Sequence, residues 1–190
     1  MSSLKADEFK LYVGKSHVEP TALGRINGVA PGGYGIILVG RDMNRQHWGY
    51  GGVKNTEVML AHGLLRGAHL AFIECETPII IIITPTPGTE KYLREFVPKW
   101  LERAAEEGPA FTKDSLDEWR KLYVLSGLGK LIMRKPEGSE ETQAAEAAQA
   151  WAQAAAAQAF LEFTKDRQRF ANPGVLVTDE DATAPKIALG

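Results

Sequence analysis

The sequence predicts an α/β fold, a mixed sheet of five strands whose first three are antiparallel. Three observations carry that reading. β-type segments crowd the first fifty residues, five isoleucines stand together at 79–83, and three-and-four helical spacing governs the stretches around them.

The first strand spans Phe9 to Val13, where Phe9, Leu11 and Val13 alternate with Lys10 and Tyr12. A Gly- and Pro-containing loop from Gly14 to Pro31 follows. Gly32-Gly33-Tyr34-Gly35 then leads into a second strand, Ile36 to Val39. Gly40-Arg41-Asp42-Met43-Asn44 reads as a hairpin turn, with Arg45 to Tyr50 as the returning strand. From Glu57, apolar Val58, Ala61, Leu64, Leu65 and Ala68 mark one buried helix face. The β-branched run Ile79–Ile83 has no alternation, which fits a central strand covered on both faces.

After that strand, Thr89 is placed to cap a helix from Glu90 to about Ala105, and Pro98 should kink or split it. Ser115 is placed to cap a helix to about Leu125, closed by Gly127 and Gly129. Lys130 to Met133 is then a fifth strand. From Thr142 to Phe163 the chain is helical. Eleven of the seventeen residues from Ala144 to Phe160 are alanine, which suits a helix lying close against a sheet, with Trp151, Phe160 and Phe163 as anchors. The expected organisation is one domain over residues 1–165 and a flexible tail over 166–190.

Composition narrows the function classes. At 44% hydrophobic and 24% charged residues, the chain is neither fibrous nor wholly disordered. With 22 Lys and Arg against 24 Asp and Glu it is not a basic protein that coats nucleic acid, although a local basic patch is compatible. Cys75 is the single cysteine, so there is no internal disulfide and no multi-cysteine zinc site. The isoleucine run is far short of the ~20 residues that span a bilayer, and the first residues lack the apolar stretch of a secretory signal. A cytoplasmic location is expected.

Several segments taken in order resemble the ribonuclease H family, of the small bacterial HI type. They are Leu11-Tyr12-Val13-Gly14-Lys15-Ser16, Pro31-Gly32-Gly33-Tyr34-Gly35-Ile36-Ile37-Leu38, Thr56-Glu57-Val58-Met59-Leu60-Ala61, and the isoleucine strand ending in Thr84. Trp119-Arg120-Lys121-Leu122 and Leu131-Ile132-Met133-Arg134 before a terminal helix complete the match, over roughly residues 8–160. The resemblance implies a ribonuclease H-like fold with helices on both faces. It also implies an ancestral chemistry in which converging carboxylates hold two Mg²⁺ ions ~4 Å apart to hydrolyse the RNA strand of a hybrid.

The same resemblance places the family's four acids on Gly14, Glu57, Pro85 (or the adjacent Thr86) and Glu146. Gly14, Pro85 and Thr86 offer no carboxylate. The family's histidine loop corresponds to Lys135-Pro136-Glu137-Gly138-Ser139-Glu140-Glu141, which holds no histidine, and its basic handle corresponds to Lys99–Lys121, where acids slightly outnumber bases. The expectation is a catalytically inactive domain with no catalytic residues and no cofactor. It would bind a protein, nucleic acid or both within a nucleic-acid-processing assembly. The alternative is an active Mg²⁺-dependent nuclease with a rebuilt site that uses Glu57, Glu146 and an acid such as Glu19 or Glu137.

Candidate nucleic-acid contacts are Lys15, Arg25, Arg41, Arg45, Lys54, Asn55 and Thr86, with Lys10 on the same strands. Thr84, Thr86 and Thr89 surround a helix start, where a phosphate site competes with a simple turn and cap. Tyr34, Trp48 and Tyr50 suit base stacking less well than sheet-face packing. His17, His47, His62 and His69 lack zinc-ligand spacing. The edge strand, the Ala-rich helix and the segment after Arg169 are the expected protein-contact surfaces.

Overall fold

A computed structural model describes residues 4–84, 88–128 and 130–178. Three strands open the chain: β1 (Glu8–His17), β2 (Ala30–Val39) and β3 (Asn44–Val53), paired antiparallel in sequence order. Helix α1 (Thr56–Glu74) crosses to β4 (Ile79–Ile83), which runs parallel to β1. Short α2 (Thr89–Lys91), α3 (Val97–Glu107) and α4 (Leu116–Gly127) lead to β5 (Leu131–Arg134), parallel to β4. Helix α5 (Gly138–Lys165) and β6 (Gly174–Thr178) complete a sheet ordered β5-β4-β1-β2-β3-β6.

The sheet therefore has six strands, not five. The sixth lies within the segment read as tail: Gly174, Val175, Val177 and Thr178 pair antiparallel with β3, and Leu176 is the extra residue opposite a register shift at Tyr50/Gly51. Buried Phe170, against Phe163 of α5 at 5.6 Å between ring centroids, anchors the approach to that strand. An aliphatic, β-branched run after Asn172-Pro173-Gly174 was the available sequence signal, and the neighbouring acids hid it. Pro85, Thr86, Gly129 and the tail residues 179–190 lie outside the described residues.

Both faces of the sheet are covered. Phe9, Leu11 and Val13 of β1, with Ile80 and Ile82, join α1 residues Met59, Leu60 and Leu64 in the main core. Tyr12, Ile37 and Ile83 face α5 residues Ala145 and Ala148 on the other side. The isoleucine strand thus contributes to both cores, which is why it shows no polar alternation.

Two expected caps differ. Thr89 is itself the first residue of α2, behind Gly88, and Ser115 has a left-handed backbone (φ 58°); neither Gly88 nor Ser115 makes a side-chain cap bond. Pro98 divides its helix as expected. It has no N–H to give, and the preceding Tyr92–Phe96 turn widens so that Val97 N–H donates to the Tyr92 carbonyl. No helix among the described residues is long and apolar enough to cross a membrane.

Candidate functional site

The Ala-rich face of α5 lies directly on the glycines of β1 and β2. Gly14 and Gly35 are cross-strand partners. A Cβ at Gly14 would overlap the Ala148 carbonyl oxygen and come within 2.5 Å of Gln149 Cα. At Gly35 it would collide with Trp151 and come within 2.6 Å of the Ala148 oxygen, and at Gly33 within 2.5 Å of Ala156 N. Helix backbone here sits against sheet backbone, a separation that only side chains without a Cβ permit on the sheet side. Position 14, to which the resemblance assigns the first acid, has no room for a side chain and carries no carboxylate.

Pairing of β1 with β4 stops at Tyr12 and Ile83. Beyond it, Gln149 bonds the Lys15 backbone much as a strand would. Its Oε1 accepts the Lys15 N–H at 3.1 Å and its Nε2 donates to the Lys15 carbonyl at 2.9 Å. The Lys15 side chain turns to α1, where Nζ donates to Glu57 Oε1 at 3.1 Å. Glu57 itself stands in the first turn of α1, and Asn55 Oδ1 accepts its N–H at 3.2 Å, capping the helix. Glu146 is exposed on α5, between buried Ala145 and Ala148.

These residues do not fit a pair of Mg²⁺ ions. Two divalent cations need several converging anionic oxygens. Position 14 has neither a carboxylate nor space for one, and an ammonium already engages Glu57. Among the described residues no group of three His, Cys, Asp or Glu side chains converges as metal ligands would.

A separate charged cluster joins β1, β5 and the start of α5. Arg134 donates to both oxygens of Glu141, at 2.6 and 2.7 Å, and Lys10 Nζ lies 2.8 Å from the same carboxylate. The Glu137 N–H adds a fourth contact at 2.8 Å. Arg134, above all, holds the nearly buried Glu141 carboxyl down at about pH 2. Burial, and then the Glu141 charge, push the nearby Tyr12 hydroxyl up to about 12. The cluster also corrects the loop read over 135–141. Its last four residues are the first turn of α5, so the connection is only Lys135-Pro136-Glu137. The sequence reasoning missed this cluster and Gln149; a buried-side acid at the head of an Ala-rich helix was the available signal.

The nucleic-acid candidates on β1, β3 and the flanking loops each contact an acid or a backbone group. Lys15 faces Glu57, Arg25 binds Glu19 at 2.6 Å, and Arg45 binds Glu74 at 2.6 Å. Lys54 lies 3.5 Å from Asp114 and Arg41 lies 3.9 Å from Asp42, both exposed contacts. Asn55 is the α1 cap, and Thr86 lies outside the described residues. Tyr34, Trp48 and Tyr50 are buried in the two cores that flank the sheet.

The histidines are dispersed. His17 stands 3.8 Å from Glu19, His62 stands 3.9 Å from Glu118, and His69 is exposed on α1. Burial lowers the His62 pKa against the opposing pull of Glu118. His47 is buried and stacked on Tyr34, with its Nε2 accepting from Arg66 Nε at 3.0 Å. Burial and then Arg66 lower its pKa to about 4. Thr84 and Thr89 are buried, and α2, three residues long, is too short to present an anion site.

No family model and no curated protein matches the sequence. Solved structures do resemble the fold. LC9-RNase H1, a type 1 RNase H with the type 2 active-site motif, superposes with a TM-score of 0.57 at 14% identity, covering 96% of this chain and 81% of that one. The foamy viral protease-reverse transcriptase in complex with an RNA/DNA hybrid gives 0.58 at 14% identity, covering 78% of this chain and 20% of that one, so this chain matches about a fifth of its length. A chain of the same viral protein in complex with dsDNA gives 0.56 at 14% identity, with 80% and 94% covered. With two parallel strands added to an antiparallel three-stranded opening and helices on both faces, the chain has a ribonuclease H-like fold.

Proposed function

We propose that this chain is a catalytically inactive ribonuclease H-like domain, derived from the bacterial HI type, that works by binding within a nucleic-acid-processing assembly. One observation carries the reading: the position of the family's first metal-bridging acid is Gly14, seated under the α5 backbone. The chain needs no metal in this role. A protein partner is the primary one, because Lys15, Arg25 and Arg45 each face an acid of the same chain, with which a phosphate would have to compete. Nucleic acid is the secondary partner, in keeping with the RNA/DNA hybrid and dsDNA named for similar structures. The reducing cytoplasm suits its single cysteine.

Incubation with a labelled RNA–DNA hybrid in Mg²⁺ and then Mn²⁺ is expected to leave the hybrid intact. Cleavage that disappears in Glu57→Gln would overturn the proposal in favour of a rebuilt nuclease site. That alternative would have to draw on Glu146, exposed on α5, with Glu19, which Arg25 holds, or Glu137, at the solvent-facing edge of the Arg134 cluster. An electrophoretic titration with single strands, duplexes and hybrids at low salt tests the nucleic-acid arm, and no shift with any of them removes it.

A further inference from the structure

The two edges of the sheet are built differently. At one edge, β6 is bent by the register shift against Tyr50/Gly51 and opens on Gly174 at φ 145°. A bulge of this kind blunts an edge strand against further pairing. At the other edge, β5 pairs with β4 in unbroken register and carries neither proline nor charge over Leu131-Ile132-Met133. Ile80 N–H donates to the Lys130 carbonyl at 2.8 Å, and Thr84 N–H donates to the Arg134 carbonyl at 3.2 Å. Strand backbone alternates in direction, so positions 130, 132 and 134 turn toward β4, and Leu131 and Met133 turn their N–H and C=O outward. Among the described residues, no hydrogen bond reaches those outward groups.

That pattern is complementary to itself. With a second copy antiparallel about a two-fold axis at Ile132, Leu131 of each chain stands opposite Met133 of the other, and each such pair exchanges both of its N–H···O=C bonds. Ile132, 48% exposed, then meets its own copy at a non-hydrogen-bonded position, where side chains come closest. Charge agrees with this register. Lys130 lies over the Phe72 ring at 4.9 Å and has no carboxylate partner among the described residues. It comes opposite Arg134 of the second copy, whose charge Glu141 already takes, and beside Glu137, 77% exposed and 3.8 Å from that arginine. A depression of about 360 Å³ lies beside β5, and Glu90 and Arg94, paired at 2.8 Å, line it. The axis reverses this row, so contact across it sets acid against base.

We propose that two copies of this chain join through β5 into one continuous sheet. The proposal is independent of whether the domain is catalytic. The strand is short, so the contact belongs to the weak class and the dimer grows with concentration. Sedimentation equilibrium of the full chain, from micromolar to near-millimolar concentration, is expected to show the mean mass rising from one chain toward two. Ile132→Lys sets like charges together on the axis and should hold the mass at one chain, with the circular dichroism spectrum unchanged. Opposed Cα atoms at the axis stand about 4.5 Å apart, within disulfide reach. In a Cys75→Ser background, Ile132→Cys should therefore cross-link under mild oxidation at least about tenfold faster than Leu161→Cys, a comparably exposed control on α5. A mass of one chain at every concentration would overturn the proposal, as would dimers that survive Ile132→Lys or cross-linking no faster than the control. Slowed hydrogen exchange of the Leu131 and Met133 amides that needs an added synthetic peptide of alternating valine and threonine, with the mass still at one chain, would overturn it in favour of another protein at this edge.

Discussion

Lys15 Nζ lies 3.1 Å from Glu57 Oε1, so the acid at the head of α1 is paired with a cation of the same chain. Both side chains are about one-fifth exposed. The same lysine has its backbone held by Gln149, which ties β1, α1 and α5 together at one point. A cation on a side chain stands beside Glu57, in a cleft where the family resemblance would place metal ions.

That pairing is expected to contribute modestly. A double-mutant cycle with Lys15→Met and Glu57→Gln should give a coupling of about 1 kcal/mol, falling as salt is raised, in urea unfolding followed by tryptophan fluorescence. A coupling indistinguishable from zero at low salt would show that the contact does not bind the elements together.

Close backbone packing at Gly14 makes the site intolerant of side chains. Gly14→Ala should cost at least ~1–3 kcal/mol, because the added methyl meets helix backbone rather than a side chain that can move. Gly14→Asp should cost more and should not create metal-dependent cleavage, because a buried carboxylate is added to the same overlap. Wild-type denaturation midpoints for both variants would contradict this account of the α5 interface.

Acid should unfasten the Glu141 cluster. The carboxyl titrates at about 2 in the folded chain against an ordinary 4.5, so its stabilisation is complete above pH 4.5 and is lost as pH falls from there toward 2. The shift corresponds to roughly 3 kcal/mol at neutral pH. Glu141→Gln should therefore be clearly less stable than wild type at pH 7, and the gap should close near pH 2. A gap that is constant with pH would assign the loss to packing alone.

His47 gives stability a second pH dependence, of the same sign. Its folded pKa of about 4 lies below the ordinary 6.5, so the unfolded chain binds the proton first and stability drops as pH falls from 6.5 to 4. Neutral His47 accepts from Arg66 through Nε2, which leaves its proton on Nδ1. Unfolding measured across this window should show a shallower slope in His47→Gln, and the His47 ring resonances should not titrate until near pH 4. A ring titrating near 6.5 would place the side chain in solvent.

Local pattern made much of the architecture legible. Alternation marked β1, the unbroken isoleucines marked a strand covered on both faces, Pro98 marked the division before α3, and alanine density marked a helix lying close to a sheet. These signals are short in range, and the physics behind them acts within a few residues. β6 escaped because five residues flanked by Pro-Gly and acids carry little pattern of their own, and their stability comes from pairing with β3. The two helix caps escaped because a capping residue type does not dictate backbone geometry.

Residue identity by itself determined that Gly14 and Pro85 carry no carboxylate, and that the chain has nearly balanced charge. Tertiary structure alone decided what each remaining charge does. The partners of Lys15, Arg45 and Glu141 are contributed by other strands and helices, and only folding brings them within reach. A carboxylate or ammonium takes its energy from distance and burial, which sequence neighbours do not specify, and so the basic residues that look like a nucleic-acid face from the sequence are matched charges in the folded chain.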